Sequence, residues 1–172
     1  MKILIMLLAL SGLVFGHTDV LEHGGFGSGF LHPISGLDHV LAMVGVGMLA
    51  FFASKKGYFL LLAFMGAMVI SAALGFIGTP MLFVEEGILL SIAVVFALIG
   101  FAKKVSLSAI IAIVAFFGMF HGFAHGTEFA GGSFGTYMLG FSLSTLFLHL
   151  SGMALAYAYS KTAMVKQAQK TV

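Results

Sequence analysis

Residues 58–78 read YFLLLAFMGAMVISAALGFIG, and none of them carries a charge. At 1.5 Å per residue a helix of that length runs about 30 Å, the thickness of a bilayer's hydrocarbon. Further apolar stretches flank it at about 33–53, 82–102, 105–125 and 136–159. Short breaks separate them: Lys55-Lys56-Gly57, Gly78-Thr79-Pro80, Lys103-Lys104 and the glycine-rich run from Gly126 to Gly135. Hydrophobic residues make up 60% of the 172, and charged ones 8% against about 25% in an ordinary soluble domain. A soluble domain of this length could not bury so much apolar surface. The chain therefore reads as an all-α, polytopic integral membrane helix bundle of about five spans in a single domain, 17–172. The short linkers predict that successive helices are antiparallel neighbours. There is no cysteine, which excludes disulfides, thiolate metal sites and thiol catalysis. Nothing in the composition points to nucleic acid.

Residues 1–16 have the form of a signal peptide, with Lys2 as the positive start, Ile3 to Val14 as the apolar stretch and Val14-Phe15-Gly16 as the cleavage site. The alternative is an uncleaved anchor. Cleavage after Gly16 would start the mature chain at His17 in an extracytoplasmic space. With residue 17 outside, Lys55, Lys56, Lys103, Lys104, Lys161, Lys166 and Lys170 all fall on the cytoplasmic side, as the positive-inside rule requires. Residues 160–172 then form a cytoplasmic tail. The same crossing pattern gathers the acids and most imidazoles at the outer face. His17, Asp19, Glu22 and His23 lie in the segment 17–32, and His32, Asp38 and His39 in the outer part of the first span. Glu85 and Glu86 open the third span as interfacial caps, and His121, His125 and Glu128 end the fourth. Of the imidazoles, His149 alone is placed deeper.

An ionisable side chain in hydrocarbon is costly, so such residues mark a functional site. His32 and His39 are seven apart, about −20° on a helical wheel, and Met43 returns to about +20° of the same face. Pro33 suits a first helical position and sets His32 at the helix start. Asp38 points elsewhere. It is a ligand from a neighbouring direction, the carboxylate that fixes an imidazole tautomer, or an acid bonded to a buried backbone end. His121 and His125 are one turn apart, a common spacing for two imidazoles on one metal, though two polar side chains bridging helices would look the same. Gly118, Gly122 and Gly126 repeat at that spacing on an adjacent face and allow close helix approach. They predict that the fourth span packs on the first, uniting the two histidine sets. Imidazole and carboxylate without thiolate suit nickel, cobalt, zinc or copper(II). Methionine in apolar helices is mostly packing material, which leaves Met43, Met119 and Met153 as soft-ligand candidates. A cleaved chain would add the amine and imidazole of His17, with His23 nearby. His149 is either a deeper transit ligand or a buried imidazole bonded to Ser142 or Thr145.

The pattern His32-Pro33-x-x-Gly36-x-Asp38-His39, followed by Met43, and the run Phe120-His121-Gly122-Phe123-Ala124-His125-Gly126 resemble the two signatures of the HupE/UreJ family. That family comprises small bacterial membrane proteins implicated in nickel or cobalt uptake for hydrogenase and urease. The resemblance covers nearly the whole chain. It implies that His32, Asp38, His39, His121 and His125 are needed for metal transport. It also implies a bacterial inner-membrane location. His17, His23, Glu128, His149 and Met43 remain as further candidate ligands.

The expected function is a permease for a divalent transition metal, nickel or cobalt first, capturing the ion from the periplasm at the outer His/Asp site. The alternative is an intramembrane zinc-dependent hydrolase using the same ligands. No ATP-binding loop occurs, so transport would be facilitated diffusion or proton-coupled. The metal is substrate and not a permanent cofactor. The other partners are the bilayer and, left open, further copies of the chain. Hydroxyls such as Ser71, Ser91, Ser106 and Ser108, with His149, are the polar groups offered to an inward path.

Overall fold

The computed structural model describes residues 25–169. The expected signal peptide and the candidate ligands His17 and His23 lie outside these residues. The described chain is helical, with no strand: α1 Phe26–Ser35, α2 Leu37–Ala53, α3 Tyr58–Phe76, α4 Val84–Phe101, α5 Leu107–Thr127 and α6 Phe134–Gln169. Helices α3, α4, α5 and α6 are each long and apolar enough to cross a membrane, and α1 with α2 forms a fifth such unit, bent by 84°. Helix α6 continues well past residue 159, into what the sequence suggested as a tail.

The first span differs from its expected form. Pro33 lies inside α1, not at the start of the crossing helix, and is buried. The chain turns at Gly36, whose backbone is extended (φ −97°, ψ 120°), and the inward helix starts at Leu37. A Cβ on residue 36 would sit 2.8 Å from Asp38 Oδ1 and 3.0 Å from His39 Nδ1, so a side chain at the bend would displace the Asp38–His39 pair. Helix α1 opens on a local clasp, with Gly25 N donating to Ser28 Oγ (3.0 Å) and Ser28 Oγ donating to the Gly25 carbonyl (2.9 Å). His32 and His39 therefore do not share a helix face. They meet across a corner.

Glycine decides the packing, but with other partners than expected. Added Cβ atoms at Gly122 and Gly126 would strike the carbonyl oxygens of Met68 and Ala72, and one at Gly118 would lie 2.7 Å from that of Phe64. The stripe thus seats α5 on α3, a parallel neighbour, and not on the first span. Each glycine on one helix faces a position four residues on from the last on the other, so the two ladders stay in register. Gly47 and Gly152 bring α2 and α6 together in the same way, against the His149 and Val44 carbonyls. Gly29 and Gly140 do so for α1 and α6. The expectation that successive helices are neighbours fails for α3 with α4 and for α5 with α6, which make no close backbone approach. Small-residue stripes outweigh chain order here, because backbone contact yields more dispersion attraction than a short linker can enforce.

The core between these helices holds Met43, Leu49, Leu60, Phe64, Met68, Ile110 and Phe141, together with three fully buried imidazoles, His121, His125 and His149. Lys55 and Lys56 follow α2, and Lys103 and Lys104 follow α4. Phe52 lines one recess with Lys103 and Lys104, so these two lysine loops lie together, at the far ends of the helices from His39 and His125.

Candidate metal centre

The bend at Gly36 throws α1 across the end of the bundle and aims His32 at the last turn of α5. His32 Nε2 lies 3.2 Å from Glu128 Oε2, and His125 Nδ1 lies 3.7 Å from the same oxygen. Glu128 is the residue that ends α5, its N–H donating to the Ala124 carbonyl. One ligand atom from each of His32, His125 and Glu128 lies within 4.8 Å of the others. Donors on one zinc- or nickel-sized ion stand about 3–4 Å apart, so a small contraction would close them on a metal. Glu128, a secondary candidate from sequence, belongs to the tightest donor group among the described residues.

The remaining imidazoles continue inward from that group. Ring centroids are 4.7 Å apart for His32 and His125, 4.6 Å for His125 and His39, and 5.4 Å for His39 and His121. His32, His39, His121 and His125 are therefore brought together from three helices, with His32 and His39 arriving on different ones. Phe141 packs against His125 with ring centroids 4.0 Å apart and the rings tilted by 47°, and Tyr137 edges His32 at 6.3 Å.

Two of the rings have their tautomers set by neighbours. Asp38 Oδ1 is 2.9 Å from His39 Nδ1, and a carboxylate only accepts, so Nδ1–H donates and Nε2 keeps its lone pair. That nitrogen is buried and has no other partner. Asp38 thus takes the tautomer-fixing role, one of the readings the sequence left open. Ser91 Oγ donates its one proton to the Ile88 carbonyl at 2.6 Å. It lies 3.0 Å from His121 Nε2, which must therefore donate to it, leaving the lone pair on Nδ1, again buried and unpartnered. His125 has neither nitrogen hydrogen-bonded. Buried acceptors without partners are costly, and a bound cation would offset that cost.

Sequence reasoning placed Ser91 with the hydroxyls of the opposite half of the membrane, whereas it belongs to this site. Its one signal was being a polar residue in the otherwise apolar run from Gly87 to Phe101. Met43 is fully buried in the apolar core one turn beyond His39. Met119 is exposed on the outside of the bundle and Met153 lies near Lys55, so neither joins the cluster. Glu85 and Glu86 are exposed in the first turn of α4, where carboxylates favour the helix dipole.

A family model for the HupE / UreJ protein matches residues 5–171. The chain belongs to the HupE/UreJ family. It is 36% identical over 151 residues to Protein HupE of Rhizobium leguminosarum bv. viciae, covering 87% of this chain and 78% of that protein. No solved structure matches it. As a HupE/UreJ member with several apolar helices long enough to span, the chain is a membrane protein.

Proposed function

We propose that this HupE/UreJ protein is a permease that takes up a divalent transition metal, nickel or cobalt, through the imidazole–carboxylate cluster at one end of its bundle. The observation that carries the reading is the pair of preset lone pairs, His39 Nε2 and His121 Nδ1, both buried without a hydrogen-bond partner on rings that stand in one cluster with His125. A protein that merely needed polar bridges between helices would have hydrogen-bonded them. The family's association with nickel and cobalt uptake and the thiolate-free donor set point to the same ions. In this reading the cluster faces the periplasm across a bacterial inner membrane and the C-terminus is cytoplasmic, which the one-sided distribution of lysines supports.

In this account Glu128 and His32 receive the hydrated ion, since both are part-exposed and Glu128 supplies charge. His125 and then His39 and His121 replace its water. Asp38 and Ser91 hold the last two rings in the metal-accepting tautomer. A doubly charged ion moving into a negative interior gains about 4.6 kcal/mol per 100 mV, enough to drive net uptake without ATP. The test is radiolabelled nickel accumulation in cells whose own nickel importers are deleted. Wild type should restore accumulation, while His39→Ala or His121→Ala, present at equal membrane abundance, should not. Undiminished accumulation in both variants overturns the proposal.

A further inference from the structure

Beyond the cluster the described residues hold one more histidine. His149 on α6 is fully buried, and neither of its ring nitrogens has a hydrogen-bond partner. The hydroxyl one turn before it, Thr145, is turned to Met68 instead, with Oγ1 3.9 Å from Sδ. Ser142, the other hydroxyl in sequence reach, forms no bond to it. A neutral imidazole has one donor and one acceptor, and leaving both unmade in a buried site forfeits the hydration of each. His149 is therefore an expensive residue to keep as packing.

Two further donor atoms, Met68 Sδ and Thr145 Oγ1, lie on the helix faces that flank it. Phe64 and Met68 are one turn apart on α3, and Thr145 and His149 one turn apart on α6. The Thr145–Met68 contact and a Phe64–His149 ring contact at 5.3 Å hold these two faces together. Phe64 also meets His121, with ring centroids 5.4 Å apart. One phenyl ring thus touches both the innermost imidazole of the cluster and the isolated one. His149 lies eight residues along α6 from Phe141, the ring beneath His125, and so about 12 Å further toward the lysine end. Gly47 lies against the His149 carbonyl, fixing the backbone at that level.

Resting on the permease reading, we infer that His149, with the Met68 thioether and the Thr145 hydroxyl, is a second station for the same divalent metal, reached from the cluster past the side chain of Phe64. The set has no carboxylate. It binds more weakly than the Glu128 end, as a station must if ions are to leave toward the far side. Imidazole nitrogen and thioether sulfur favour a borderline or soft cation over magnesium or calcium, so the station also filters what the carboxylate end admits.

The test uses the full chain purified in detergent, with Ni2+ alone as the probe, in equilibrium dialysis and in vesicle flux. Wild type should bind in a tight and a weak class. His149→Leu, which removes two unmade hydrogen bonds and so should melt no lower than wild type, should keep the tight class, lose the weak one and slow flux about tenfold or more. His125→Ala should lose the tight class. If His149→Leu does not fold, His149→Gln is read in its place. A weak class that persists without the imidazole, or a wild type with a single class untouched by the substitution, overturns the second station. Loss of the weak class in a protein whose wild type carries no Ni2+ across vesicles would uphold the station and refute the permease reading.

Discussion

Replacing Ser91 with alanine isolates the claim that tautomer, and not mere presence of imidazole, makes the centre. Ser91 Oγ spends its proton on the Ile88 carbonyl and accepts from His121 Nε2 at 3.0 Å. In Ser91→Ala the ring has two choices. It keeps the proton on Nε2 as a buried, unpaired donor, at a cost of about 1–3 kcal/mol. Otherwise it moves the proton to Nδ1 and loses the free lone pair there. Either route taxes metal binding and leaves every candidate ligand in place. A penalty near 1.4 kcal/mol corresponds to about tenfold weaker nickel binding, the low end of what partners of metal-bound histidines are generally worth. Titration calorimetry of Ni2+ into purified wild type, Ser91→Ala and Ser91→Thr reads it directly. Threonine keeps the hydroxyl and should recover most of the affinity. Alanine binding as tightly as wild type would refute the tautomer argument, and equal losses in alanine and threonine would reduce Ser91 to a packing residue.

Asp38→Asn should weaken nickel binding by about 10–100-fold with little change in melting temperature, because the amide no longer demands a proton on His39 Nδ1; unchanged affinity by the same calorimetry speaks against it. Gly122→Ala should cost at least about 1–3 kcal/mol of stability, since its Cβ meets the Met68 backbone on a parallel helix and not a yielding side chain. Gly66→Ala, with nothing near its Cβ, serves as the control, and thermal melting in detergent that ranks the two alike would refute the α3–α5 seam.

Much of this architecture is legible in the sequence because the bilayer imposes simple lengths: uncharged runs such as 58–78 read as spans, and the structure makes Tyr58–Phe76 of that run a helix long and apolar enough to cross. Legible too is that His32, Asp38, His39, His121 and His125 belong together, since ionisable residues are rare enough in hydrocarbon to be read as a set. The wheel argument for His32 and His39 reached the right neighbours by a wrong route. It assumed one helix, and the 84° turn at Gly36 shows as nothing more than a glycine in the sequence. The glycine stripe was readable as a seam, but its partner was not, because any helix with exposed carbonyls four residues apart can receive it. Ser91 was invisible as a site residue for the same reason: a lone serine in a span has no partner until the fold supplies His121. Whether His149 bonds to a hydroxyl depended on the rotamer of Thr145, which spacing does not encode.

The central claim is movement of metal through the cluster, and flux into vesicles tests it most directly. Purified full-length chain is reconstituted around a nickel-sensitive dye, with an inside-negative potential and Ni2+ added outside. The account predicts dye response that grows with the potential and vanishes in His39→Ala and His121→Ala. Stoichiometric nickel binding with no flux at any potential, or flux indifferent to both histidines, would contradict it.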